Sequence, residues 1–168
     1  DDVILHTYFT PETLQRAVKT VKDAAEQAGR DPASVKVWSC FATVGDHLPE
    51  ELRLKKTVAR LATYLQGYGD LLVNTNNWDP AVLQRFRDDP VVQSVPGGID
   101  HKASAEQIAH IATLIPDEWL EPSATGSAQQ CVDRVRKEFD YGADAVIMHG
   151  ATPDELAPII EVYRESVG

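Results

Sequence analysis

A chain of 168 residues, 43% hydrophobic and 25% charged, is long enough to bury one sizeable core and has the composition of an ordinary globular domain. Its 26 acidic residues against 16 basic ones give a formal net charge of -10, which repels nucleic-acid phosphates and anionic membrane surfaces; the longest basic run, Lys55-Lys56 between Arg53 and Arg60, reads as the solvated face of a helix. No apolar stretch approaches the roughly 20 residues of a membrane span and no basic-then-apolar leader is present, so a cytoplasmic protein is expected.

The chain opens without Met on Asp1-Asp2-Val3-Ile4-Leu5-His6, a strand-like start that we read as the edge of a cut or processed polypeptide with further sequence upstream. Thr10 as N-cap and Pro11 at the first helical position introduce a helix carrying Leu14, Ala17, Val18, Val21, Ala24, Ala25 and Ala28 at three-four spacing. Gly29 ends it and Pro32 prevents its resumption. Val35 to Val44, apolar, β-branched and aromatic, predicts a strand covered on both faces. A second helix follows from about Pro49 with Leu54, Val58, Leu61 and Leu65 on one side.

From Gly67 to Asp100, glycines, prolines and asparagines break every period, which predicts an inserted excursion with one short helix over Pro80 to Arg87. Ser104 and Gln107 form a capping box for the next helix, which Pro116 stops. Trp119 to Ser123 is a short strand candidate, and Ser127 with Gln130 caps a further helix that Gly142 terminates. Asp144 to His149 predicts a strand, and Thr152-Pro153-Asp154-Glu155 caps the last helix. Cys40 and Cys131 have no ligand-like spacing and read as core residues in a reducing environment, with no metal site.

This order implies parallel strands and an α/β fold. The stretch from Asp1 to Glu12 and that from Asp144 to Asp154 are one βα unit written twice, each strand ending in a histidine before a Thr-Pro helix start. A repeated βα unit favours a barrel over a doubly wound sheet, although a flavodoxin-like sheet alternates similarly. Four expected strands are half of the eight that close a TIM-type barrel of about 250 residues. Residues 1–168 are therefore expected to form a single domain, half of a (β/α)8 barrel, with 67–100 as an insertion.

In such folds ligands bind at the carboxyl ends of the strands. The residues there are His6, Thr7, Tyr8 and Phe9 after the first strand, Thr125, Gly126 and Ser127 after the third, and His149 and Gly150 after the last. A strand-end histidine can hydrogen-bond a ligand or move a proton near neutral pH; the alternative is a structural histidine bonded to a loop carbonyl. Thr125-Gly126-Ser127 opens a helix, where backbone N–H groups can hold phosphate, or it is an ordinary cap. The Asn74, Asn76, Asn77 and Trp78 cluster can serve as a pocket wall or a turn. No dinucleotide, P-loop, nucleophile-elbow or zinc-protease motif occurs, and no catalytic residue is assigned.

Taken in order, Asp1 to Leu14, the Gly29-Arg30-Asp31-Pro32 turn, Ala124-Thr125-Gly126-Ser127-Ala128-Gln129-Gln130, Tyr141-Gly142-Ala143-Asp144-Ala145-Val146 and Val162-Tyr163-Arg164 resemble the luciferase-like monooxygenases, especially members that use coenzyme F420. The resemblance runs nearly end to end and corresponds to the C-terminal half of that family's barrel. It implies an oxidoreductase that binds F420 or FMN at the strand ends and transfers hydride to a small organic substrate or activates oxygen. It carries over His6, Tyr8, Phe9 and His149 as pocket residues. Phe9 and Glu118 stand where sugar-phosphate members of the family place basic side chains, which disfavours a phosphorylated sugar. The missing half of the barrel, or a second copy in a homo-oligomer, is the expected partner. The competing reading is a non-catalytic, self-associating half-barrel that binds flavin or nothing.

Overall fold

Ten consecutive extended residues, Lys36–Gly45, form the strand β2 on which the other strands of the chain align, in a computed structural model that describes residues 1–166. Around it the chain forms β1 (Asp2–Ile4), α1 (Pro11–Gln27), a 3-10 turn (Pro32–Ser34), then α2 (Glu50–Lys56), α3 (Val58–Asn76), α4 (Pro80–Asp88), α5 (Pro90–Ser94), α6 (Ile99–Lys102), α7 (Ala105–Ala112) and α8 (Asp117–Leu120). β3 (Ser123–Gly126), α9 (Ala128–Asp140), β4 (Ala145–His149) and α10 (Pro153–Glu165) follow. No described helix is long and apolar enough to cross a membrane.

All pairings are parallel, as the alternation of strands and helices predicts. Their register decides the sheet. Ile4 and Ala145 both pair with Trp38, while Ser123 and His149 both pair with Ala42. A residue has one neighbour on each edge, so β4 takes one edge of β2 while β1 and β3 share the other, β1 low and β3 high. The backbone bonds agree: Trp38 O accepts from Leu5 N–H and Asp46 N–H donates to Gly126 O on one side, and Val37 O accepts from Asp144 N–H on the other.

The caps read from the sequence are formed. Thr10 accepts from Thr13 N–H with Pro11 in the first turn, and Ser104, Ser127 and Thr152 each complete a capping box with Gln107, Gln130 and Glu155. Four expectations need correction, the third being that Gly67 to Asp100 holds one short helix and the fourth that β2 is covered on both faces. Trp119 does not lie in a strand: Pro116 starts the helical turn α8, Trp119 is 1% exposed and stacks on Trp78 with centroids 4.6 Å apart, and the strand begins at Ser123. Nor is the helix after β2 continuous, for Thr57 separates α2 from α3. From Gly67 to Asp100 the chain is largely helical. α3 continues through a non-helical residue, Tyr68 (φ -152, ψ 39), and α4 to α6 follow. Leu61, Leu65, Leu72, Phe86, Ile99 and Ile111 bury their side chains there in a core of their own, each contributing about 1.5–3 kcal/mol.

Burial along β2 also departs from a strand covered on both faces. Val37, Ser39 and Phe41 face α9 and α10 and are buried, and from Phe41 to Gly45 every residue is buried. Lower on the opposite face, Trp38 and Cys40 are half-buried. Register puts Ile4 beside Trp38 and Ile147 beside Cys40 on that face, and Ile4 is 66% exposed. The reason is the course of the chain after β2: α2 and α3 depart from its upper end and cover the sheet only there. We therefore expect Ile4→Asn to change the stability of the chain by less than about 0.5 kcal/mol, whereas Val37→Asn, on the covered face, costs about 2–4 kcal/mol. Urea unfolding of the two variants measures this, and equal losses would mean that the Ile4 face is not open.

Candidate functional site

The upper rim of this open face carries both strand-end histidines. His149 is the last residue of β4 and pairs with Ala42, and His6 follows β1 by two residues, on the opposite edge of β2. What joins them is a stripe on α3. Tyr64 and Tyr68, one turn apart, stack with centroids 5.5 Å apart, and the ring of His6 meets both edge-on at 5.2 Å. The Tyr64 hydroxyl stands 3.5 Å from His149 Nε2.

Hydrogen bonding assigns the protons. His6 Nδ1 lies 2.9 Å from the Thr7 carbonyl, which can only accept, so Nδ1 carries a proton. In the neutral ring Nε2 then accepts the Tyr68 hydroxyl at 2.8 Å. Tyr8, 1% exposed and in the left-handed region at φ 61, donates its hydroxyl to Thr57 O at 3.2 Å. The turn that holds it there is fastened by Asn76, whose amide donates to Tyr8 O and accepts from Thr10 N–H. Gly150, with φ +93, turns the chain away directly after His149, and its carbonyl accepts from Lys56, which also pairs with Glu155 at 3.0 Å.

One full charge borders the cluster. Arg60, one turn before Tyr64, pairs with Asp100 at 3.1 Å, and Asp100 is 3% exposed. Burial pushes the Tyr64 phenol up against the opposing pull of Arg60. Burial and the neighbouring Tyr64 push Tyr68 up to about 12, and burial holds Tyr8 well above the ordinary phenol range. His149 is pushed down, by burial first and then by Arg60 and His6. At neutral pH the site is thus a set of protonated phenols and an uncharged His149. It can orient a ligand by hydrogen bonds and hold or release a proton.

The remaining residues expected at the site lie elsewhere. Phe9 turns away from the histidines into a cavity of about 520 Å³ beside Trp78, Tyr141 and Glu118. Thr125 and Gly126 line a separate hollow of about 280 Å³ with Arg53. Ser127 is occupied by its own helix: its hydroxyl caps Gln130 N–H and its N–H donates to Gln130 Oε1, the ordinary-cap alternative. Gly126 is required there, since at φ +102 a Cβ would collide with that glutamine. Thr7 is buried, and its hydroxyl has no partner among the described residues. Tyr64, Tyr68, Arg60 and Asp100 were not foreseen. The four-residue spacing Arg60, Tyr64, Tyr68 is a legible stripe, whereas nothing near Asp100 in the sequence marks it. No group of three or more metal-ligating side chains occurs among the described residues.

The lowered His149 makes a stability prediction. In the unfolded chain its imidazole takes up a proton near pH 6.5, while in the fold protonation waits for lower pH. Its contribution is therefore fully present above about pH 7 and is lost as pH falls through 6.5 toward the folded value. His149→Gln should flatten the difference in unfolding free energy between pH 7.5 and pH 5.5 relative to the native chain; an unchanged slope contradicts the assignment.

No family model matches the chain. It is 23% identical over 173 residues to the 5,10-methylenetetrahydromethanopterin reductase of Methanolobus tindarius, across 99% of this chain and 48% of that protein. Its fold superimposes on the coenzyme F420-dependent tetrahydromethanopterin reductase of Methanopyrus kandleri with a TM-score of 0.66 and 17% identity, across 98% of this chain and 44% of that one. The chain spans about half the length of the reductases it matches. The structural likeness shows the TIM-barrel-type α/β fold. Sequence and fold together bear out the resemblance to the luciferase-like, coenzyme F420-dependent reductases, over about half of their length.

Proposed function

We propose that this chain supplies the C-terminal half of the barrel of a coenzyme F420-dependent oxidoreductase, and that His6, Tyr64, Tyr68 and His149 form one wall of its hydride-transfer site. The observation that carries the reading is the match of nearly the whole chain to two reductases, one of them described as F420-dependent. That one of them is F420-dependent favours F420 over FMN, and that both are reductases favours hydride transfer over oxygen activation. The substrate is a small organic molecule.

The residues present fit such a cofactor. The aromatic rings and hydrogen-bonding groups of His6, Tyr64, Tyr68 and His149, gathered at the strand-end rim, offer edge and face contact to a flat ring together with hydrogen bonds. His149 Nδ1 is buried without a partner among the described residues, a state that costs about 1–3 kcal/mol unless something answers it. When bound, the deazaflavin takes up or gives up a hydride at its central ring. This chain's part is to bind and orient through the tyrosine hydroxyls, to keep His149 uncharged beside the reacting groups, and to hold the loop after β4 through Lys56.

The exposure of Ile4 favours a partner on that face. In this reading the partner is the rest of the barrel; in the second it is another copy of the chain, in a non-catalytic dimer. Titrating the polypeptide that contains this chain, and then the chain alone, with F420 and with FMN while following cofactor fluorescence decides between them. The expected result is F420 binding by the longer polypeptide and at least tenfold weaker binding by the chain. Failure of the longer polypeptide to bind either cofactor overturns the oxidoreductase reading, and a monodisperse dimer of the chain without cofactor uptake favours the second.

A further inference from the structure

Asp100 is a buried carboxylate far in sequence from the strand ends. Ile99 beside it is 0% exposed and its N–H donates to Gln66 Oε1, which already fastens α6 to α3. Burying a charge is unfavourable unless it is paired and hydrogen-bonded, and a buried ion pair is rarely worth more than an apolar contact of the same size. The pairing here is complete. Oδ1 lies 3.0 Å from the Thr63 hydroxyl, whose one proton it shares with Ala59 O at 3.0 Å and whose oxygen accepts the Asp100 N–H, while Oδ2 takes Arg60 at 3.1 Å with His101 Nε2 at 3.7 Å. A Cβ at Gly98 would stand 3.0 Å from Oδ1, a tight contact.

On the far side of this pair lies the site. Arg60 stands one turn before Tyr64 on α3, and its charge pulls against the burial that raises the Tyr64, Tyr8 and Tyr68 phenols and helps push His149 down. Its side chain is 31% exposed, and without a fixed partner so long a chain relaxes toward solvent. We propose that Asp100 is a positioning residue: it fixes the Arg60 guanidinium beside Tyr64, at the rim that carries His149, so that the helical segment inserted after β2, rather than the strands, places the charge that borders the strand-end site. Its meaning for catalysis rests on the oxidoreductase reading; the placement itself can be measured without cofactor.

His149 reports it. The groups facing its ring are Arg60 and Tyr64 from α3 and His6 after β1, with Cys40 below on β2 and the Lys56–Glu155 pair fixing the next residue. Ring-resolved NMR titration of His149 in this chain is compared for the native sequence, Arg60→Met, Asp100→Asn and Thr63→Val. Arg60→Met removes a cation and should raise the midpoint by roughly half a pH unit. If Asp100 holds Arg60 in place, Asp100→Asn releases it and the midpoint rises likewise. If Arg60 stays without Asp100, the uncompensated guanidinium drives the midpoint down, and a fall or no change overturns the proposal. Should Asp100→Asn not fold, Thr63→Val, which loosens the carboxylate but keeps its charge, must raise the midpoint by a smaller amount; no movement there overturns it equally. A longer polypeptide that binds no F420 while these shifts hold removes the oxidoreductase reading and leaves the positioning role. Binding without the shifts does the reverse.

Discussion

Backbone pairing along Lys36–Gly45 is the constraint from which the rest of the molecule follows. One strand of ten residues has partners of three, four and five, so no single neighbour satisfies an edge. β1 and β3 divide one edge between them and β4 takes the middle of the other. β1 ends low, opposite Trp38, and β4 ends opposite Ala42, so it is the two residues after Ile4 that bring His6 up toward the height of His149 on the other edge of β2. Two histidines separated by most of the chain are thereby set on facing edges of one strand, near enough for a single aromatic side chain to meet both.

The same strand decides where the sheet is covered. Helices that follow β3 and β4 return along one face and bury Val37, Ser39 and Phe41. The helices that follow β2 do not return. They rise from its upper end and build a second core around Leu61, Leu65, Phe86 and Ile99, which leaves the lower face around Ile4, Trp38 and Cys40 open. An apolar sheet face beneath a rim of hydrogen-bonding groups is the surface that completion of a barrel would enclose. The reductases that the chain matches are about twice its length, which is consistent with that geometry.

Electrostatics at the rim is managed by compensation. Arg60 and Lys56, the cations nearest the histidines, are each paired, with Asp100 and Glu155. Burial and Arg60 keep His149 uncharged, and burial keeps the phenols protonated.

The sequence by itself determined the local elements: every helix start announced by Thr10, Ser104, Ser127 or Thr152 is a real cap, because capping is a contact between residues three apart. Parallel α/β architecture, and His6 and His149 as strand-end residues, were legible for the same reason, through a βα unit repeated at both ends. Tertiary structure decided what depends on contacts between distant segments. It put Trp119 in a helical turn against Trp78, sent Phe9 into a different cavity from His6, and spent Ser127 on its own helix. It also brought Asp100 to Arg60 across 40 positions, from a segment whose glycines and prolines speak only of turns. Periodicity and caps encode what a residue does to its near neighbours; which neighbour a buried charge will find is written only in the packing of one helix on another.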